Sequence, residues 1–199
     1  MVSISPSCRK FDFLRRLAAV AVAVAVLCCC PSLAATEGIH VKSAELSLDG
    51  GEYYLETNFE VGLTPTLEDA LNKGLPLHFV IEFDLIYPRW YTAYLWNKSV
   101  AELEQHYRLS YNALTRQYRL SFGSLHQNFD TLDDALTLVG RLRRRFVVDA
   151  EALSEGTVYE AAIRMRLDVS QLPKPFQINA LASRDWNLSS EWFRWTLKR

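Results

Sequence analysis

Apolar and polar residues alternate at every second position through most of this chain, and that alternation limits the fold more than any other feature. A period of two is the signature of strands with one buried and one wet face. From Leu77 to Tyr87 the inward set is Leu77, Phe79, Ile81, Phe83 and Leu85. Val41–Leu48 and Tyr53–Val61 flank Asp49-Gly50-Gly51, a strong hairpin turn. Pairing across it places Ala44, Leu46, Leu48, Tyr53, Leu55, Phe59 and Val61 on one face. Ala101–Tyr111 and Gln117–Gly123 form a second hairpin around Asn112-Ala113-Leu114-Thr115, with Tyr107, Leu109, Tyr118, Leu120 and Phe122 on its apolar side. Trp90–Trp96, Thr157–Asp168, Phe176–Ala182 and Glu191–Leu197 read as further extended segments, Thr157–Asp168 burying Val158, Ala162 and Met165.

Two helices interrupt the strands. Thr64-Pro65-Thr66 starts a short one through Leu71, stopped by Gly74. Asp130 or Thr131 caps a second, whose stripe is Leu132, Leu136, Val139, Leu142 and Phe146. Arg141, Arg143, Arg144 and Arg145 fall in its last turns, where cations suit the helix dipole. The expected fold is therefore mainly β: an antiparallel β-sandwich-like domain with two short accessory helices.

The first residues obey different rules. Arg9, Lys10, Arg15 and Arg16 precede an unbroken apolar run from Leu17 to Cys30, and Pro31 then breaks it. Ser32-Leu33-Ala34 offers small residues where a signal peptidase needs them. Residues 1–34 thus read as a signal peptide cleaved after Ala34, with Ala35 the alternative, and 35–199 as one exported domain in the periplasm. The run falls short of the ~20 residues that a spanning helix needs, so an uncleaved anchor is the lesser alternative.

Removing the leader changes the chemistry available. All four cysteines (Cys8, Cys28, Cys29 and Cys30) leave with it, so the exported part has no disulfide, thiol nucleophile or thiolate ligand. The whole chain carries 22 Lys+Arg against 23 Asp+Glu; without the leader these become 18 and 22, a formal charge of −4. That balance gives no basic field for nucleic acid.

Motifs for catalysis are missing: no G-x-S-x-G, no H-E-x-x-H, no phosphate loop and no dinucleotide fingerprint occur. No cofactor, metal or catalytic residue is expected, although a carboxylate pair leaves no local pattern. His78, Glu82 and Asp84 share one strand face by parity; a solvated face opposite an apolar one is the favoured reading, and a metal or acid–base trio is the alternative. A four-residue loop in the second hairpin predicts Arg108 opposite Arg119 and His106 opposite Ser121, an unfavourable like-charge pair unless a carboxylate such as Glu104 or a bound anion intervenes.

Aromatic residues give the more useful signal. Tyr87-Pro88-Arg89-Trp90-Tyr91, Tyr94 and Trp96 form one cluster; Trp186, Trp192 and Trp195 form another. By parity Trp192 shares a face with Arg194, opposite Phe193, Trp195 and Leu197. Exposed Trp, Tyr and Arg dominate protein interfaces, while large aromatics also fill cores, and both readings stand. The candidate interaction surface is Arg89, Trp90, Tyr91, Trp96, Arg108, Arg119, Trp192 and Arg194.

The chain resembles a bacterial family of exported proteins classed as a domain of unknown function, number 4390. The resemblance rests on the order of Ala70-Leu71-Asn72-Lys73-Gly74-Leu75-Pro76-Leu77, Pro88-Arg89-Trp90-Tyr91, Tyr107-Arg108-Leu109-Ser110-Tyr111-Asn112-Ala113-Leu114, Leu172-Pro173-Lys174-Pro175 and Asp185-Trp186. It spans essentially residues 38–198 and brings no activity, cofactor or catalytic residue. Family members are often encoded beside a membrane sensor histidine kinase, so the resemblance implies an accessory role with such an envelope protein as partner. The expected function is a non-enzymatic periplasmic binding domain. A glycan- or lipid-binding module and a carboxylate-dependent hydrolase are the alternatives.

Overall fold

The computed structural model describes residues 37–87 and 98–199. The expected leader and the expected extended segment Trp90–Trp96 lie outside the described residues, as do the candidates Arg89, Trp90, Tyr91 and Trp96. Strands β1 (Gly38–Asp49) and β2 (Glu52–Gly62) form the first hairpin. Its turn needs left-handed backbone at both central residues, and Gly50 (φ 61°) and Gly51 (φ 90°) supply it. Strand β7 (Arg141–Asp149) pairs with the other side of β2, completing a three-stranded sheet ordered β1-β2-β7.

The second sheet has six strands. They are β3 (Leu77–Tyr87), β4 (Lys98–Asn112), β5 (Gln117–Phe122), β6 (Leu125–Phe129), β8 (Val158–Leu167) and β9 (Phe193–Lys198), ordered β6-β5-β4-β3-β8-β9. Every pairing in both sheets is antiparallel. One continuous core joins the sheets, drawing Leu55 and Phe59 from the smaller and Phe79, Phe83, Leu109 and Ile163 from the larger. The domain is thus mainly β and sandwich-like, as the alternation predicts.

β3 lies near the middle of the larger sheet. Leu77, Phe79, Ile81, Phe83 and Leu85 are at most 1% exposed. Each such side chain contributes roughly 1.5–3 kcal/mol of transfer free energy before ordering costs are set against it. α1 (Pro65–Asn72) has Thr64 as its N-cap, the hydroxyl accepting from the Leu67 N–H, and buries Leu67, Ala70 and Leu71.

Several expectations fail, each for an identifiable reason. α2 (Leu132–Val139), capped by Thr131 through the Asp134 N–H, stops at Val139 and does not continue to Phe146. Gly140 then carries the chain into β7, its carbonyl accepting from the Phe59 N–H at 2.8 Å. A Cβ at Gly140 would lie 2.3 Å from the Phe59 carbonyl oxygen, so only glycine fits this approach. Leu142 satisfied the helical spacing and the strand's inward position alike, and the β2 edge decided between them. The four arginines are therefore strand residues with no helix dipole to serve.

The expected strand at Phe176–Ala182 is instead the helix α3 (Lys174–Ala182). Pro175 is tolerated in its first turn, and the Phe176 ring packs on Trp186 at 5.9 Å. This makes three α-helices among the described residues, where two are expected. On β8 the inward residues are Tyr159, Ala161, Ile163, Met165 and Leu167; Met165 was expected, whereas Val158 is 46% exposed. Ala162 is buried on the opposite face. β6 escapes sequence reading because four of its five residues are exposed, which leaves no buried face to impose a pattern. The second hairpin turns one residue later than predicted, which shifts the pairing by two: Arg108 faces Ser121 and Arg119 faces Ser110, so the two arginines are not directly opposed.

Among the described residues no helix is long and apolar enough to cross a membrane.

Candidate functional site

The face of the six-stranded sheet turned away from the core collects polar side chains from neighbouring strands. Register alone arranges them. Glu82 on β3 lies between Glu104 on β4 and Arg164 on β8; Asp84 lies between Glu102 and Ala162; Val80 lies between His106 and Arg166. Val80 is 1% exposed although it is on this outward face, consistent with cover from the long side chains beside it.

Glu82 is the electrostatic centre. The Arg164 Nε donates to its Oε2 at 2.5 Å and the Arg166 Nε to its Oε1 at 2.7 Å. Arg166 also approaches Asp168, at 3.7 Å. Burial pushes the Glu82 carboxyl up, but the hydrogen bonds and charges of Arg164 and Arg166 outweigh it and hold the group below its ordinary value. The Arg164 guanidinium in turn sits 4.5 Å from the centroid of the Trp192 ring.

Beside this knot is the opposite arrangement. Asp84, Glu102 and Glu104 face one another on adjacent strands with no lysine or arginine at ion-pair distance among the described side chains. His106 alone approaches, its Nε2 3.5 Å from Glu104. Burial first, then the charges of Glu102 and Glu82, raise the Asp84 carboxyl above its ordinary value. Glu82, Asp84, Glu102, Glu104, Arg164 and Trp192 line a cleft of about 330 Å³. Trp192 also borders a second cleft, of about 380 Å³, with His40, Glu191 and Phe193.

The structure separates the predicted candidates. Trp192 is half-buried on Arg164, and Arg194 is exposed with its Nε 3.6 Å from Glu160, so these two belong to one end of the face. Arg108 and Arg119 belong to the other end; Arg108 is opposite His78, and Arg119 donates to Asn128 at 3.1 Å. Burial, and secondarily the Arg108 charge, lower the His78 imidazole. His78, Glu82 and Asp84 do share the face, but Glu82 is occupied by two arginines. Among the described residues no group of three or more His, Cys, Asp or Glu is placed to hold a metal. Trp186 is a core residue at 6% exposure, and Trp195 packs half-buried against the core.

Sequence reasoning missed Glu102, Arg164 and Arg166, and it placed Glu104 beside Arg108 and Arg119 rather than in this cleft. Their alternation in β4 and β8 is visible in the sequence, but which of them meet depends on strand order.

A model of one protein family, described as a domain of unknown function (DUF4390), matches residues 36–196. No curated protein and no solved structure matches the chain.

Proposed function

We infer that this chain, which belongs to the DUF4390 family, is a non-enzymatic binding domain of the bacterial envelope. It is exported by its leader to the periplasm, where it contacts another envelope protein through the outward face of the six-stranded sheet. The extracytoplasmic region of a membrane sensor kinase is the partner that the family resemblance favours. One observation carries the reading: Asp84, Glu102 and Glu104 hold uncompensated negative charge beside the Trp192 ring. An aromatic anchor rimmed by charge is what a protein partner desolvates well, and a lysine or arginine from that partner would complete the carboxylates. The exposed Arg108 and Arg119 at the other end ask the same partner for acidic groups.

The experiment is crosslinking in intact cells with wild type, Trp192→Ala and Asp84→Asn/Glu102→Gln. Partners captured by wild type should be lost from both variants while their urea midpoints stay near wild type. Undiminished capture by folded variants would remove this face from the interface.

A second reading has an observation of its own. Asp84 raised and Glu82 lowered in one cleft is the pattern of a carboxylate-dependent hydrolase. Release of reducing ends from purified cell-wall glycan, abolished by Asp84→Asn, would establish it. The arginine pairs on Glu82 weigh against it, because they occupy the carboxylate that would have to serve as base. Trp192 alone supports glycan or lipid binding less well, since Arg164 already covers one face of its ring.

A further inference from the structure

On the other layer of the domain, β7 carries a run of arginines that the outward-face reading leaves unused. Its pairing with β2 slips: Thr57 faces Leu142 and Leu55 faces Arg145, so β7 holds one more residue than β2 over this stretch. This is a β-bulge, and Arg144 within it takes left-handed backbone at φ 44°, which a non-glycine residue adopts only at a cost. The Arg144 side chain is held by Asp49 at 2.8 Å and by the Tyr54 ring at 4.9 Å. Beyond the bulge Arg145 is placed opposite the buried Leu55, on the side of the strand that meets the larger sheet.

Arg145 therefore joins Arg141 and Arg143 along a groove of about 190 Å³, floored by Tyr107, Phe122, Leu138 and Leu142. All three arginines are exposed. Arg141 and Arg143 also border a cleft containing Glu45 and Glu56, yet no carboxylate among the described residues reaches ion-pair distance of any of the three. Like charges crowded on one strand with apolar floor beneath them lack only their counter-charge.

We propose that this groove between β7 and the β4–β5 hairpin is a docking site for an acidic, extended segment of a partner protein. The charge selects that occupant. Arg141 and Arg143 flank the inward Leu142, and the bulge turns Arg145 into the same groove, so three guanidinium groups without a counter-charge among the described residues line it. An extended acidic segment brings separate carboxylates to these separate guanidinium groups. Each can take a carboxylate in two parallel hydrogen bonds, while apolar residues between the acids meet Phe122 and Leu138. Recognition runs through side chains, because the bulge interrupts the backbone ladder that strand addition would need.

The test uses the purified full chain and a short dye-labelled peptide alternating Glu with Leu, read by fluorescence anisotropy at low salt. Wild type should bind it, and Arg143→Gln/Arg145→Gln should bind at least about tenfold more weakly. Arg145→Lys should fall between them, because it keeps the charge and loses the paired geometry. Trp192→Ala should leave the affinity unchanged, which separates this site from the outward face. Absence of wild-type binding, equal affinity of the double variant, or binding of phosphatidylglycerol vesicles with none of the peptide overturns the proposal.

Discussion

The two sheets handle their arginines in opposite ways. In the larger sheet β3 and β8 stay in unbroken register, and that regularity brings Arg164 and Arg166 onto one carboxylate, Glu82. In the smaller sheet the register of β7 slips between Leu55 and Thr57 and again between Tyr53 and Tyr54, and among the described residues only Arg144 of its four arginines finds a carboxylate. Regular pairing brings opposite signs into line where β3 meets β8 and like signs together where β3 meets β4, whereas a bulge re-aims side chains and leaves charge unspent. Unspent charge at a surface is available to a partner.

The largest expected effect tests the entry into the smaller sheet. Gly140→Ala must displace the Phe59 carbonyl or part α2 from β7, and a loss of about 2–3 kcal/mol should appear in urea unfolding. A loss within about 0.5 kcal/mol, the ordinary scatter of surface substitutions, would show that this junction yields freely.

Next comes the centre of the larger sheet. Glu82→Gln leaves two half-buried guanidinium groups without their carboxylate. It should cost about 2 kcal/mol, below a fully buried pair because Arg164 and Arg166 remain about a third exposed. Its sign with pH is definite: the Glu82 carboxyl is lowered in the fold, so its stabilisation is present above the ordinary glutamate value and is lost as pH falls through the folded value. Wild type should therefore lose its advantage over Glu82→Gln in acid.

Asp84 should behave in the reverse sense. Its carboxyl is raised, so the fold favours the protonated form, and that contribution disappears as pH rises through the folded value. Asp84→Asn removes a like-charge cross-strand pair with Glu102 and should stabilise the neutral-pH protein by roughly 0.5 kcal/mol. A stability gain that is the same at acidic and neutral pH would point to packing rather than charge.

The smallest effect returns to the slipped register. Thr57 is 6% exposed, and its Oγ1 has no hydrogen-bond partner among the described residues. Thr57→Val keeps the shape and removes the unpaired hydroxyl, so stability should hold or rise by at most about 0.3 kcal/mol. A clear loss would reveal a hydrogen bond at that bulged position.

Legibility followed burial. Leu77–Tyr87 was read with its correct limits and inward residues because one face of β3 is wholly buried, leaving a clean period of two. The segment 141–149 was misread because Leu142 fits two periods, and α3 because Pro175 reads as a breaker in isolation and as a first-turn residue in context. Of the candidate site, Trp192 and Arg194 were found through parity, whereas Arg164 and Arg166 needed β8 to be placed beside β3.

The sequence by itself determined the sheet character, the two glycines of the first turn, the Thr64 start of α1 and a cap for α2 at Asp130 or Thr131. These depend on backbone preference and local hydrogen bonds within a few residues. Strand order, the β7 bulge and the meeting of Glu82 with Arg164 and Arg166 were decided only by tertiary structure. They join residues separated by as many as 97 positions, as Glu52 and Asp149 are, and local preference does not act over that distance. The surfaces that remain for a partner are what this long-range pairing left unsatisfied.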